Sequence, residues 1–409
     1  VVNPTHIPAI VTALNLNGLG VARVLGRHGV HVIALHGGSD GPECKSRYVR
    51  EIVRPEPGES AADCLLRIAP RFGDRRPVVM PITDETVESV AARLELLRAH
   101  YRVPMSDGRK IIELLSKDGI DAAARRREMP VPVTAACTSR DEMAAAVGRM
   151  RAPFILKPTD KSEAFQRSGA KKAYRLDTAA EVLSTYAQFA DHEPRAVVQE
   201  FIPGSDADVW FCLMAMARDG RVLGAMVGHK IRQWPPHCGG TASCEPADAP
   251  ELIELSARFF REEGVSGCCS IEYKRDPRDG RFYLIEPTVG RTDWQSAVAD
   301  DNGVPIPYLV WCDETGTPLP RVVPKRIKRR WVHVNSDRSS ADYYRRRGEL
   351  GRLSWIWSIR PPVRPAYWAV DDLGPTFAIL REATARILQK LGRPFTRRST
   401  APESATDRR

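Results

Sequence analysis

An α/β domain built on a doubly wound parallel sheet, followed by two α+β lobes and a C-terminal extension, is the fold class this sequence predicts. Three observations lead to it. As far as about residue 108, apolar strand-like runs alternate with helical patterns, the signature of a parallel sheet covered by helices. Beyond Ala152 the texture changes to strands joined by Asp-Gly turns. The length, 409 residues, exceeds one ordinary core and suits two or three packed domains able to close a cleft.

The elements follow in order. PAIVTALN reads as a strand, GLGVARVLGRHG as turn and helix, and VHVIAL as a second strand. YVREIVR, a helix from about Ser60, the strand PVVMPI, a helix from about Asp84 to His100, and YRVPM complete a domain at residues 1–108. Within it NLNGLGVAR, with Asp40 some way downstream, has part of a dinucleotide fingerprint through Gly18 and Gly20. Arg23 takes the third small-residue position, where it would crowd helix against strand, so a tight turn is the preferred reading. A helix from Asp107 to about Arg127 leads to PVPVTAA and to a helix over Ser139–Arg149, capped by Ser139 with Glu142 at capping-box spacing. APFILKP, KKAYRL, RAVVQEFI, ADVWFCLMAMARDGRVLGAMVGHKI and GCCSIEYKRDPRDGRFYLIEP then read as strands, with turns at ARDGR and DPRDGR. These give a small lobe at 109–200 and a large lobe at 201–320. Residues 321–409 form a basic, tryptophan-rich extension with a helix from about Pro375 to Leu391 and a polar tail expected to be disordered.

Composition narrows the function. With 43% hydrophobic and 27% charged residues the chain is globular, and no apolar run approaches the ~20 residues of a membrane span. The first residues lack the features of a secretory signal, so the cytoplasm is the expected compartment. The cysteines number nine, an odd count without a CxxC pair, which fits buried thiols in a reducing environment; a reactive thiol at Cys238 or Cys244 is the minority reading. Of the +10 formal charge, much lies between Arg321 and Arg352, where eleven Lys and Arg face three acids. A solvated basic surface is the preferred reading of that segment.

The chemistry-bearing residues recur in a consistent order. Lys117 ends a helical stretch, and Lys157 follows the apolar strand PFIL, from whose end its side chain could reach phosphates. The polar loop 158–172 carries further cations, of which Lys171 or Lys172 could meet anionic oxygens. VVQEFIPGSDADVW offers a strand edge at Glu200, Phe201 and Ile202 before a turn, and Asp208 beyond it. Lys230 and Arg232 alternate on one strand face, an arrangement that favours a polyanion over a salt bridge. Most telling is Gly267 to Arg291, where Glu272 and Glu286 each interrupt an apolar strand of one hairpin. Two facing acids in apolar surroundings call for a shared metal charge, Mg²⁺ held through carboxylates and phosphates being one solution. Salt bridges with Lys274 and Arg281 are the alternative.

In their joint order, over about residues 5–315, these motifs resemble the ATP-grasp superfamily, in its carboxylate-amine ligase branch that includes D-aspartate ligase-like proteins. The resemblance implies a pre-ATP-grasp domain, a two-lobed ATP-grasp fold, and an ADP-forming ligase that activates a carboxylate as an acyl phosphate and joins it to an amine. It implies ATP contacts from Lys117, Lys157 and the 158–172 loop, adenine read by the backbone at 200–202, and ribose bonded by Glu200 or Asp208. Lys230 and Arg232 would hold the transferred phosphoryl group and the incoming carboxylate, as would Arg291, one place later than the usual arginine. Glu272, Glu286 and Thr288, which stands where the family has asparagine, would hold one or two Mg²⁺ ions. Thr83, Asp84 and Glu85 could recognise an amino-acid-like substrate, with helix capping by Asp84 the equal alternative. The implied partners are small carboxylates and amines, and a homo-oligomer is compatible. Three rival classes stay open: a dehydrogenase using Gly18, Gly20 and Asp40; a nucleic-acid binder using the 321–352 segment with Trp331, Tyr343 and Tyr344; and a catalytically silent ATP-binding regulator.

Overall fold

The computed structural model describes residues 7–158, 173–191, 193–237, 239–323 and 325–391, with side chains through residue 384. The first four strands, β1 (Ala9–Val11), β2 (Val32–Leu35), β3 (Val49–Val53) and β4 (Val78–Met80), pair in parallel in the order β3-β2-β1-β4. Apolar runs buried on both faces, such as Ala9–Val11, are what a helix-covered parallel sheet requires. The glycines after β1 do not form the tight turn expected of them: Gly18 and Gly20 both lie in the helix that follows, Leu16–Arg27. Asn15 caps helix Leu16–Arg27 by accepting from the Gly18 N–H at 3.0 Å, and a Cβ on Gly18 would lie 2.1 Å from the Ala13 carbonyl oxygen. Arg23 does not crowd the sheet. It is buried on the helix's other side, bonded to Asp372 at 2.8 Å and to the Ala366 and Tyr367 carbonyls.

The expected helix from Asp107 is two helices, Gly108–Leu115 and Lys117–Arg126, because Ser116 breaks the run and caps the second. Both pack on the first domain and the large sheet: Ile111, Leu114, Ala123 and Ala124 share a core with Val87, Met105, Ile271 and Phe260. They do not open the small lobe, as the boundary at 109 would have it. That lobe has strands β5 (Thr134–Cys137), β6 (Phe154–Pro158), β7 (Tyr174–Leu176) and β8 (Ala196–Glu200) in the order β5-β8-β6-β7, antiparallel throughout. Its helix Arg140–Val147 is capped by Ser139, but Glu142 accepts from Thr138, one residue short of a reciprocal capping box. The lobe's core, from Cys137 through Phe154 and Tyr186 to Val198, is its own.

The large sheet runs β13-β12-β9-β10-β11-β14-β15. Its strands are β9 (Val209–Met216), β10 (Val222–Trp234), β11 (Gly240–Pro246), β12 (Gly267–Arg275), β13 (Phe282–Val289), β14 (Arg330–Val332) and β15 (Val363–Pro365). Alternation sends Cys212, Met214 and Met216 of β9 to one core and Phe211, Leu213 and Ala215 to the other, so this strand is covered on both faces. The two hairpins predicted at ARDGR and DPRDGR form, the second closed by Gly280, whose N–H donates to the Asp276 carbonyl at 2.7 Å.

The extension is no appendage. β14 pairs with β11 and β15 with β14, and Trp331 is fully buried in the second core, which removes it as a base-stacking residue. Cations of this segment are partly neutralised in the fold: Arg330 pairs with Glu245 at 2.7 Å, Arg345 with Asp342 and Arg347 with Glu349. The final helix is Gly374–Leu391, and the polar tail lies outside the described residues.

Candidate active site

Pairing of β12 with β13 sets Glu272 directly opposite Glu286 and Ser270 opposite Thr288. Residues two apart share a face, so these four stand together, while Ile271 and Tyr273 turn into the core. Glu272 meets the Lys230 ammonium at 2.9 Å, and Lys230 also donates to Gln233 Oε1 at 3.2 Å. The cation on Glu272 thus comes from β10. Lys274 donates instead to the Ser205 carbonyl at 2.6 Å, and the Arg281 N–H closes its turn on Asp279.

Sequence reasoning missed Asp293. It is buried, accepts from Ser270 Oγ at 2.5 Å, and lies 3.7 Å from Arg291. Its only sequence signal is an acid two places after Arg291. Burial pushes the Glu272 carboxyl up, against the pull of Lys230, with Asp293 adding like charge. Glu286 is pushed up by desolvation and by Asp84, against Arg291 and Lys117. Among the described residues, only Lys230 and Arg291 form direct ion pairs with this group of acids. An uncompensated cluster of carboxylates that resists ionising is the setting in which a divalent cation gains most.

The first domain reaches the same place. Arg291 bonds Asp84 at 2.6 Å, directly beyond the carboxyl end of β4. Thr83, not Asp84, caps the helix Asp84–Ala92, which leaves Asp84 free for Arg291. Asn17 donates to the Ile82 and Thr292 carbonyls at 3.2 and 2.7 Å, tying the ends of β1 and β4 to the segment after the hairpin. Gly290 makes that segment possible: its φ is +72°, and a Cβ would lie 2.9 Å from Met105 Cε.

Lys157 is exposed near the end of β6, and desolvation and the like charge of Lys117 pull its ammonium down. Lys117 begins its helix, where the sequence suggested it ended one, and it lies within electrostatic reach of both Lys157 and Glu286. Neither ammonium has an ion-pair partner among the described residues, and two such groups beside an acid cluster suit a polyanion.

Other expected residues have structural partners. Arg232 and Lys230 do not form a free cationic face, since Arg232 is buried against Asp337 at 2.7 Å and also donates to Ser358 at 2.7 Å. The strand is irregular between them. Glu200 is buried and accepts the Arg151 N–H at 2.7 Å, which turns it away from a ribose role. Asp208 accepts from the Ser205 N–H and hydroxyl, closing a turn. Phe201 donates its N–H to the Pro153 carbonyl at 2.8 Å and its ring lies under Arg175, while Ile202 is buried. Cys244 is buried and its thiol held well above the usual range, which rules out a reactive thiolate there. Lys171, Lys172 and Cys238 lie outside the described residues.

Comparison with solved structures gives the architecture. Phosphoribosylglycinamide synthetase from Anaerococcus prevotii superposes with a TM-score of 0.58 at 15% identity, over 76% of this chain and 75% of that one. N5-carboxyaminoimidazole synthetase from Staphylococcus aureus gives 0.56 at 13% identity over 77% and 78%. A β,γ-ATP complex of biotin carboxylase from Campylobacter jejuni gives 0.56 at 15% over 78% and 73%. The fold is ATP-grasp-like. In sequence, the D-aspartate ligase of Enterococcus faecium (strain Aus0004) is 25% identical over 240 residues, 55% of this chain and 56% of that protein. The chain thus spans about half the length of that curated relative. No family model matches. Within this ATP-grasp-like frame Lys157 lies on the small lobe, while Lys117, whose helix shares a core with the large sheet, lies on the side of the Glu272 and Glu286 hairpin.

Proposed function

We propose that this protein is an ADP-forming ligase that activates a small carboxylate with ATP and joins it to an amine. The facing pair Glu272 and Glu286, crowded by Asp293 and under-neutralised, carries this reading. Glu272, Glu286 and Asp293 would hold Mg²⁺, with Thr288 beside them; the ion, when bound, supplies charge neutralisation for phosphoryl transfer. Lys117 and Lys157 draw the nucleotide's phosphates to the mouth of the small lobe. Phe201 and Ile202 border the place where the base would lie. Arg291, already oriented by Asp84, is suited to orient the substrate carboxylate, and Lys230, fixed by Glu272 and Gln233, to hold the transferring phosphoryl oxygens. The carboxylate oxygen attacks the γ-phosphorus as the bond to ADP breaks. The amine nitrogen then attacks the acyl carbon, phosphate leaves, and the nitrogen loses a proton. Catalysis is positioning and charge neutralisation, without a protein nucleophile.

The relative's name favours an amino acid as one substrate, and Arg291, held by Asp84 at 2.6 Å, offers a cation for its carboxylate. A reducing cytoplasm suits the buried thiols.

The test is ADP release from Mg·ATP against a panel of amino acids and small carboxylate and amine pairs. ADP should appear only with a matched pair, and Glu286→Ala should lower turnover about 100-fold or more with the melting curve unchanged. AMP and pyrophosphate as products would exclude this chemistry. ATP binding with no turnover for any pair would favour the silent regulator, a reading that Thr288 supports.

A further inference from the structure

The extension leaves apolar side chains uncovered at one corner. Helix Arg352–Ser358 turns Trp355 inward, its indole donating to Asp337 at 2.8 Å, and keeps Leu353, Ile356 and Trp357 outside at 74%, 58% and 63% exposure. These three occupy one helical face. Parallel pairing of β14 with β15 brings the segments that enter the two strands to the same end. Ile327, 72% exposed, precedes β14 there, and Arg330 donates to the Arg360 carbonyl at 3.2 Å.

Cations rim this apolar corner. Arg326, Lys328, Arg329, Arg352 and Arg360 are exposed, and among the described residues none of them pairs with a carboxylate. The acids of the segment are taken: Asp337 by Arg232, Asp342 by Arg345 and Glu349 by Arg347. Arg360 lies over the Trp357 ring, 5.1 Å from its centroid, so the tryptophan sits at the boundary of the two chemistries.

An apolar, tryptophan-bearing tip with unneutralised cations around it fits a bilayer surface with anionic headgroups. A nucleic acid would satisfy the cations and leave Leu353 and Ile356 wet. A second copy would bring like charges together. We propose that this face seats the protein on an anionic membrane surface, inserting Leu353, Ile356 and Trp357 into the headgroup boundary. The proposal does not depend on the catalytic reading.

The full chain is sedimented with phosphatidylcholine vesicles, with and without roughly a third phosphatidylglycerol. Binding is expected to the anionic vesicles alone, to weaken in high salt, and to weaken roughly tenfold or more in Leu353→Ser/Ile356→Ser/Trp357→Ser. Arg326→Gln/Lys328→Gln, which leaves the helix intact, should weaken it as well. Absence of binding would overturn the proposal. So would binding unaffected by the serine substitutions, which would mean a general polyanion site, or self-association that those substitutions abolish without vesicle binding.

Discussion

Asp301 ends a short helix that begins at Ala297, and its buried carboxylate pairs with Arg364 of β15 through one oxygen. The other oxygen, Oδ2, is buried without a hydrogen-bond partner among the described residues. Loss of water around that oxygen pushes the carboxyl up to about 6, against the pull of Arg364. Between the ordinary value of 3.8 and about 6 the folded protein therefore holds a proton that the unfolded chain releases. Stability should fall as pH rises through that window, by up to ~3 kcal/mol, and be flat with respect to this group above it. Asp301→Asn keeps an acceptor for Arg364 and removes the titration. Urea unfolding across pH should show the wild-type loss relative to this variant; parallel profiles would refute the burial account. At the same scale, Glu272 and Glu286 were legible in the sequence because each acid stood alone in an apolar strand. Asp293 was not, since nothing near it in sequence announces that Ser270, on another strand, receives it.

At the scale of elements, the feature with most consequence is Asp337. It lies in helix Val334–Arg346 and accepts from Arg232 on β10, from Ser243 on β11 at 2.5 Å, and from the Trp355 indole. One carboxylate thus joins the helix, two strands of the large sheet and the exposed helix beyond. Asp337→Ala would strand a buried guanidinium, a change that costs ~3–5 kcal/mol. Chemical denaturation should show a loss of that size, and Asp337→Asn should recover part of it; a loss below ~1 kcal/mol would mean that Arg232 finds water. Local patterns did predict the elements themselves. Alternation and Asp-Gly turns located both hairpins, and the helix starts at Ser60 and Ser139 were read correctly, whereas the cap considered at Asp84 is supplied by Thr83. Patterning did not reveal that Lys230 and Arg232 were committed to acids, because their partners are 42 and 105 residues away. It also misassigned the helices after Asp107, whose apolar faces do not say which of two neighbouring cores they enter.

For the whole molecule, the extension is structural. It supplies Asp372 to Arg23, Asp337 to Arg232, Trp331 to the core and two strands to the large sheet. Truncation after Pro320 would leave two buried arginines uncompensated at ~3–5 kcal/mol each, comparable with the ~5–15 kcal/mol total stability of a folded domain. The truncated chain should show no cooperative unfolding transition by near-UV circular dichroism. A sharp native-like transition would contradict this assignment. The fold class could be read from the sequence, since alternating or hairpin texture is local. The docking of the last quarter of the chain onto its first helix could not, being a matter of partners more than three hundred residues apart.

Among the described residues the small lobe, with its separate core, and the segment leading into it hydrogen-bond to the hairpin: Arg278 on the Ala152 carbonyl at 2.7 Å, Arg151 on Asp279 at 3.1 Å, and the Leu284 N–H on the Pro130 carbonyl. A joint of that kind exchanges hydrogen bonds with water when it opens and exposes little hydrocarbon. Admission of nucleotide should then carry a small heat-capacity change, so its affinity would drift gently with temperature, close to a straight van't Hoff line. Calorimetric titration of Mg·ATP over a range of temperatures reads this directly, and a large negative heat-capacity change would mean that apolar surface closes with the lobe.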